Sequence, residues 1–178
     1  MTSLCVDDGH PATDWSPLDK RSFHQVMAHV PAPVAVVTGC TASGEPLGFT
    51  VSSFISVSLT PPLVLFCASR TSTTWPRMAQ AGRFVVNLLP AEEAALAQRF
   101  ALPVDRFLGT AWERSPRGIP VLLAAYATLE CTVMQTHPAA DHHIVVGEVG
   151  RGRLATDRLP LVRYRSTYTT VRTDGTWW

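Results

Sequence analysis

The chain has 178 residues, a length that fits one domain with a sizeable core and leaves little room for two. Its 15 lysines and arginines against 14 acidic residues give a formal charge of +1, which offers no electrostatic surplus for duplex nucleic acid or anionic lipid. The longest nearly apolar run, Val121 to Leu129, is under half of the roughly 20 residues that a membrane span needs. Nucleic-acid binding and membrane insertion are therefore disfavoured.

Two further features predict a reduced, cytoplasmic protein. Residues 1–15 include three aspartates, no lysine or arginine and no apolar stretch, so they lack the pattern of a signal peptide. The four cysteines are widely spaced and form no C-x-x-C pair, which argues against a disulfide framework or a zinc ribbon. Cys67 and Cys131 lie in apolar runs, where a free thiol usually acts as a small buried hydrophobe.

The composition divides the chain into a flexible arm, one domain and a short tail. Residues 1–19 are polar, with two prolines and no periodicity, which is typical of a loose terminal segment. Residues 20–172 carry the periodic apolar patterns and contain no linker. Residues 173–178 follow as a tail with no functional interpretation.

The domain begins with an amphipathic helix and a short strand. An apolar stripe with the i, i+3, i+4, i+7 spacing predicts the helix, and it consists of Phe23, Val26, Met27 and Val30. Two prolines end this helix, after which the β-branched run at 34–38 predicts a strand.

The most regular segment is Gly48 to Leu59, in which one alternating set is mostly apolar and the other is rich in hydroxyl groups. This period of two predicts a single strand with one apolar and one hydroxyl-lined face. Further strands are expected at 63–68, 84–89, 122–136, 142–154, 161–165 and 167–171, and short helices open at Thr73 and Pro90. Seven or eight strands without regular strand–helix alternation predict a mainly β protein, an antiparallel barrel with a few short peripheral helices.

Motifs for other chemistries are weak. Gly150 to Ala155 matches the relaxed dinucleotide-binding fingerprint, but an aspartate and a proline follow too closely for the required helix, so we expect a turn. His142 and His143 are adjacent in a predicted strand and should face opposite sides, which disfavours a metal site with Cys131. No nucleophile elbow occurs. Asp141 is not expected to orient the imidazole beside it, because neighbouring side chains diverge.

Hydroxyl groups form the remaining pattern. The run Thr50 to Ser53 and the cluster Ser69 to Thr74, just before a predicted helix, supply hydroxyls, backbone N–H groups and an arginine. This combination suits a phosphate group. The same residues also suit ordinary solvent-facing strand positions and a helix cap. The residues alone leave both interpretations open.

Taken in order, several segments resemble the flavin reductase-like family of small reductases. They are Val34 to Thr38, Gly48 to Leu59 followed by Pro61 to Leu63, Phe84 to Leu88, Ala97 to Ala101, Asp105 to Phe107, Asp141 to Val149, and Pro160 to Val162. The T-x-S-S-F-x-S-V-S-L-x-P-P-L run and the D-H-x-x-x-x-G-E-V run are together specific. The resemblance covers about residues 22–171.

The resemblance implies an FMN-binding split β-barrel, usually a homodimer. It also implies hydride transfer from NADH or NADPH to FMN or FAD, followed by release of the reduced flavin to a partner monooxygenase. Such chemistry agrees with the lack of an acid/base pair, because the cofactors carry the reaction. The alternative is a non-catalytic flavin-binding or electron-carrier protein on the same barrel. An oxidase of the pyridoxamine-phosphate type lacks support from the segment beginning at Asp141.

Carried onto this chain, the resemblance implies specific binding positions. The edge of the isoalloxazine would run along Thr50, Val51, Ser52 and Ser53. The ribityl chain and phosphate would be held by Cys67, Ala68, Ser69, Arg70, Ser72 and Thr74. The stretch that closes over the cofactor is matched by Phe100, Ala101 and Phe107. His142 is the candidate contact to the nicotinamide nucleotide, with a role in orientation and polarity rather than proton transfer.

The chain departs from the family pattern at three positions. Ala140 precedes Asp141 where a glycine is common, so this turn is expected to differ. Pro33 stands where a glycine is usual ahead of the first strand. Arg163 replaces a residue that is often aromatic, which makes the mouth of the site more basic.

Overall fold

The computed structural model describes residues 17–154 and 158–171. Residues 1–16 of the expected arm and the tail at 173–178 lie outside the described residues. Within the described ranges the chain forms three α-helices, one 3-10 helix and twelve strands. In order they are α1 (Lys20–Ala28), β1 (Ala32–Pro33), β2 (Ala35–Cys40), β3 (Pro46–Val51), β4 (Ile55–Leu59), β5 (Pro62–Ser69), α2 (Thr74–Ala79), β6 (Arg83–Leu88), the 3-10 helix (Ala91–Glu93), α3 (Ala94–Ala101), β7 (Trp112–Arg114), β8 (Pro120–Leu122), β9 (Ala127–Ala139), β10 (His142–Leu154), β11 (Leu161–Tyr164) and β12 (Thr167–Thr170).

Antiparallel strands dominate the architecture. Seven strands form one sheet in the order β3-β2-β6-β9-β10-β5-β4, and each neighbouring pair is antiparallel. Two smaller sheets, β1-β11-β12 and β7-β8, flank it. The three helices are short, so the prediction of a mainly β protein with a few peripheral helices is confirmed. In the part of the chain that the structure describes, no helix is both long and apolar enough to cross a bilayer.

Two clusters of buried side chains hold the sheets together. In the first cluster the rings of Phe66 and Phe84 meet edge to face, with centroids 5.2 Å apart. In the second, Phe100 is fully buried and its ring lies 5.2 Å from that of Phe107. Burying one such side chain contributes about 1.5–3 kcal/mol, and edge-to-face contact adds to it. The aromatic pairs therefore anchor the sheet on both sides.

A buried polar network attaches the β7-β8 hairpin to the large sheet. The side-chain amide of Asn87, on β6, donates to the carbonyl of Val36 at 3.0 Å and to Oγ1 of Thr38 at 2.9 Å. Its carbonyl oxygen accepts from the backbone N–H of Leu122 at 2.8 Å. Because all these groups are buried, their hydrogen bonds offset the cost of removing them from water. Asn87 thus holds β8 against β6, and the hydroxyl of Thr38 adds a second contact by donating to the carbonyl of Pro120.

The prediction of a single strand across Gly48 to Leu59 is wrong. The chain pairs with β2 as far as Val51 and then, after residues 52–54, pairs with β5 as β4. Strands β3 and β4 lie at opposite edges of the seven-stranded sheet. Side-chain alternation reports which faces the residues occupy but not which strand they pair with. The apolar side chains of β4 are consequently exposed at Ile55, Val57 and Leu59.

Three local expectations also change. The strand expected at 142–154 is present as β10, so the turn expected for the glycine-rich run from Gly150 is wrong as far as Leu154, because β9 offers pairing partners as far as Ala127. The turn-rich stretch before Pro120 contains strand β7, which pairs with β8. Helix α2 begins at Thr74, and Thr73 makes no side-chain cap. Oγ of Ser72 instead accepts from the backbone N–H groups of Thr74 and Trp75, each at 3.3 Å.

Candidate functional site

An open cavity of about 290 Å³ lies where β3, β5 and β10 meet. Its walls are formed by Phe49, Thr50, Val51, Ser52, Ser53, Cys67, Ser69, Ser72 and His142. Eight of these nine residues were predicted as site residues, although they come from three distant parts of the sequence. Phe49 is the residue that the sequence reasoning missed. It belongs to the same alternating set as Val51, and that pattern was the available signal.

Strand register brings the histidine to the hydroxyl groups. In the β5-β10 pair, His142 lies opposite Ser69. Across the cavity, Oγ of Ser53 accepts from the backbone N–H of Cys67 at 2.8 Å and donates to its carbonyl at 3.5 Å. These two hydrogen bonds hold the segment between β3 and β4 against β5. The break in the predicted strand therefore forms one wall of the cavity.

Most hydroxyl groups of the cavity are already bonded within the protein. Oγ1 of Thr50 donates to the carbonyl of Ala97 at 2.6 Å, which ties β3 to helix α3. The hydroxyls of Ser69 and Thr71 lie 2.8 Å apart. The lining includes no carboxylate, lysine or arginine. It is a polar but nearly uncharged surface, and its geometry is fixed by the protein's own hydrogen bonds.

The prediction that Asp141 cannot orient His142 is wrong. Nδ1 of His142 lies 2.8 Å from Oδ1 of Asp141. The reason is the tight connection between β9 and β10, in which Ala140 adopts a left-handed φ of 48° despite its Cβ. The hydrogen bond with His142, together with the charge of the imidazole, lowers the pKa of Asp141. The aspartate thus remains ionised at neutral pH and holds one ring nitrogen of the histidine.

Six predicted site residues lie outside this lining, and three of them are Ala68 on β5, Arg70 in the turn after β5 and Ala101 at the end of α3. Ala68 is buried in the core, because it alternates with its two neighbours along β5. Arg70 donates from its guanidinium to the carbonyl of Ala140 at 3.2 Å, and from its backbone N–H to that of Asp141 at 2.9 Å. Ala101 is exposed at the end of α3.

Two of the other three line a neighbouring cavity of about 300 Å³, and the third, Phe100, is buried beneath β3. Thr74 and Phe107 line the cavity, together with Arg106, which sequence reasoning did not single out although it lies in a family segment. Nη1 of Arg106 donates to the carbonyl of Gly48 at 2.8 Å and to Oγ1 of Thr74 at 3.0 Å, and partial burial lowers its pKa. Phe100 packs beneath Gly48, where a Cβ would come within 2.7 Å of its ring. Phe100 therefore supports β3 from the core.

A third cavity, of about 450 Å³, adjoins the first through Ser52 and Ser53. Helix α1 forms one wall, and Arg163 and Arg165 line another. Its lining includes His24 and no acidic residue. Arg163, which was expected to make the mouth of the site more basic, therefore faces this adjoining cavity together with Arg165. Among the residues described, no group of three His, Cys, Asp or Glu side chains could hold a metal ion.

The fold and these cavities define a β-sheet protein with a neutral, hydroxyl-lined ligand site beside a basic one. Residues 27–172 match the family model described as the flavin reductase like domain. The chain therefore belongs to the flavin reductase-like family, as the resemblance implied, and it is an NAD(P)H-dependent flavin reductase.

The chain is similar to three known proteins along most of its length. The actinorhodin polyketide dimerase of Streptomyces coelicolor is 46% identical over 132 residues, or 74% of this chain and 75% of that protein. HsaB of Rhodococcus jostii, the reductase subunit of a flavin-dependent monooxygenase, is 35% identical over 89% of this chain and 82% of its own length. The Streptomyces globisporus C-1027 NADH:FAD oxidoreductase SgcE6, in complex with NAD and FAD fragments, has a TM-score of 0.82 at 31% identity, covering 89% of this chain and 96% of that one. The split-barrel prediction is thereby confirmed.

Proposed function

We propose that this protein uses NADH or NADPH to reduce FMN or FAD and delivers the reduced flavin to a partner monooxygenase. The observation that carries the proposal is the hydroxyl-lined cavity, in which the Ser52-Ser53 segment, the end of β5 and His142 converge. HsaB, as the reductase subunit of a monooxygenase, supports the transfer step. The oxidoreductase SgcE6, with fragments of both nucleotides, supports the choice of substrates.

The residues of the cavity fit a flavin. Phe49 offers apolar surface to a flat ring, while the neighbouring hydroxyls and backbone groups are polar and uncharged. We assign the ring to the segment formed by Thr50, Val51, Ser52 and Ser53. We assign the ribityl and phosphate end to Cys67, Ala68, Ser69, Arg70, Ser72 and Thr74, with Ala68 acting through its backbone. The guanidinium of Arg106, 3.0 Å from Thr74, places positive charge at that end.

A bound flavin supplies the hydride-accepting ring, and the protein supplies binding and orientation. His142, held by Asp141, contacts the nicotinamide nucleotide and orients it. The phosphates of that nucleotide lie in the adjoining cavity, where Arg163 and Arg165 favour an anion. We assign an indirect role to Phe100, Ala101 and Phe107. They set the position of β3 and shape the cavity next to it.

A homodimer is the assembly that we propose. The apolar stripe of α1 is about half exposed at Phe23, Val26, Met27 and Val30, and the edge strand β4 exposes three more apolar side chains. Exposed apolar surface of this extent is typical of an interaction site. Since α1 and Ile55 also line the adjoining cavity, a second copy on this surface would help to enclose the nucleotide.

We assign the protein to the cytoplasm, since Cys40, Cys67 and Cys131 are free thiols.

Anaerobic oxidation of NADH with a large excess of FMN over protein tests the proposed function. Many turnovers for each subunit are expected, and a parallel assay with NADPH identifies the preferred donor. A single bleaching event for each subunit would instead indicate a flavin-binding electron carrier. Repeating both assays with FAD in place of FMN identifies the preferred flavin.

A further inference from the structure

A fourth cavity, remote from the proposed flavin site, lies at the other end of β10. It has a volume of about 300 Å³ and lies between the β7-β8 hairpin and the β9-β10 pair. Its lining includes Val85, Val121, Thr128, Glu130, Arg151 and Arg153. Arg151 lies nine positions along the strand from His142, a distance of about 30 Å at 3.3 Å per residue. No residue lines both cavities.

A β-bulge aims the arginines of β10 into this cavity. Between Val149 and Arg151 the register against β9 shifts by one residue, which leaves Gly150 unpaired. In a regular strand Arg151 would share the core-facing side of Val149, because alternate residues face the same way. With the extra residue, Arg151 lies opposite Glu130 instead, and Arg153 follows on the same face. The glycine-rich run that resembled a dinucleotide fingerprint thus builds part of this cavity.

Glu130 is the chemically unusual group of the lining. The residue is 94% buried, being 6% exposed. Its Oε1 lies 3.4 Å from Nε of Arg117 and 3.4 Å from Nη1 of Arg151. Its Oε2 is buried and has no hydrogen-bond partner. A buried carboxylate oxygen without a donor is costly, and buried polar groups in folded proteins nearly always have a partner.

The rest of the cavity favours an anion with an apolar body. Arg114, Arg117, Arg151 and Arg153 surround only two acids, Glu113 and Glu130, so the local charge is positive. Nη1 of Arg153 is held 2.8 Å from Oε1 of Glu113 at the rim. Val85 and Val121 supply an apolar wall. The volume is at the lower end of that found for small-molecule sites.

We propose that this cavity binds a small organic acid that also carries a hydrogen-bond donor, such as an aromatic hydroxy acid. The carboxylate of the ligand pairs with Arg151 and Arg153 at the mouth. Its body packs on Val85 and Val121. Its hydroxyl donates to the carboxylate of Glu130 after that side chain rotates, because Oε2, the oxygen that lacks a donor, is closed off from the cavity in the free protein. The site is independent of the flavin cavity and of the proposed reaction.

Calorimetric titration of the full-length protein with 4-hydroxybenzoate tests the proposal. We expect one binding site for each subunit and the same dissociation constant with and without saturating FMN. Benzoate, which lacks the donor, and phenol, which lacks the carboxylate, should each bind about tenfold more weakly, the equivalent of one charge-assisted hydrogen bond. Absence of binding at millimolar concentration, or displacement of the probe by FMN, would overturn the proposal.

Variants identify the cavity as the place of binding. Arg151→Gln should weaken 4-hydroxybenzoate about tenfold, and the side chain is 55% exposed, so the fold tolerates the change. Glu130→Gln should remove most of the difference between 4-hydroxybenzoate and benzoate. Arg21→Gln, on α1 and outside the cavity, is the matched control and should leave binding unchanged. Binding that Arg151→Gln does not alter would show that the probe lies elsewhere.

Discussion

The two ends of β10 carry cavities of similar volume and opposite chemistry. At His142 the walls are hydroxyls and backbone groups whose hydrogen bonds are largely satisfied within the protein. At Arg151 and Arg153 the walls are charged, and a buried carboxylate of Glu130 has one oxygen without a partner. One strand therefore supports a neutral site and a charged site about 30 Å apart.

The contrast reflects what each surface can recognise. A redox ligand changes its electron count during reaction, so a neutral polar wall holds its oxidised and reduced forms without the strong bias that a nearby fixed charge would impose. Fixed arginines instead select a ligand of constant negative charge. The neutral cavity thus suits a flavin that binds, is reduced and leaves. The charged cavity suits a ligand whose negative charge stays constant.

The largest effect is expected at the charged end, when Glu130 loses both arginines. Arg117→Ala combined with Arg151→Ala leaves a buried carboxylate without a cation, which should lower the free energy of unfolding by about 1–3 kcal/mol. The partial exposure of both arginines places the expected loss below that of a fully buried pair. Urea unfolding measures the difference. Arg153→Ala is the control, because its partner Glu113 is half exposed, and an equal loss in both variants would contradict the argument.

At the neutral end, Ser52→Ala combined with Ser53→Ala should weaken flavin binding about tenfold while the barrel stays folded. Ser53 loses its hydrogen bonds to Cys67, so the segment that forms one wall is no longer held against β5. Quenching of flavin fluorescence measures the affinity, and circular dichroism checks the fold. Ser58→Ala, which removes a turn hydrogen bond to Thr60, serves as the matched control. Unchanged affinity in the folded double variant would remove this segment from the site.

His142→Ala should raise the KM for NADH about fivefold and leave flavin affinity nearly unchanged, since one orienting hydrogen bond is lost. Steady-state kinetics and flavin titration on the same preparation separate the two effects. His143→Ala, one position along the strand and on the other face, should alter neither. A fall in flavin affinity with a constant KM would reassign His142 to the flavin.

The smallest effect is expected from Asp141→Asn. The pKa of Asp141 is lowered by its hydrogen bond with His142, so any stability from this contact is present above the ordinary carboxyl pKa and is lost as the pH falls through the lowered value. Asp141 is fully exposed, which keeps the contribution small. Thermal unfolding midpoints of wild type and variant should differ slightly at pH 7 and converge as the pH falls below about 4. A difference that grows on acidification would contradict this assignment.

Sequence patterns predicted the mainly β class and most strand positions, and the family resemblance supplied eight of the nine residues that line the neutral cavity. Local signals carried these predictions, since alternation, turn residues and family motifs are all readable over a few positions. The pairing of His142 with Asp141 was missed, because it depends on a left-handed residue at Ala140. The charged cavity was missed as well. Gly150 was interpreted as part of a turn, and a bulge has no signal in side-chain alternation.

The sequence by itself determined which residue types were available: a hydroxyl-rich run at 50–53, a histidine at 142 and two arginines flanking Gly152. Family motifs then indicated a flavin reductase. Only the tertiary structure decided that the chain passes, after the run at 50–53, from β3 at one edge of the sheet to β4 at the other edge. It also decided that Arg151 lies opposite Glu130 rather than in the core. Strand pairing and register arise from contacts between residues far apart in the chain, and those contacts set the charge and shape of both cavities.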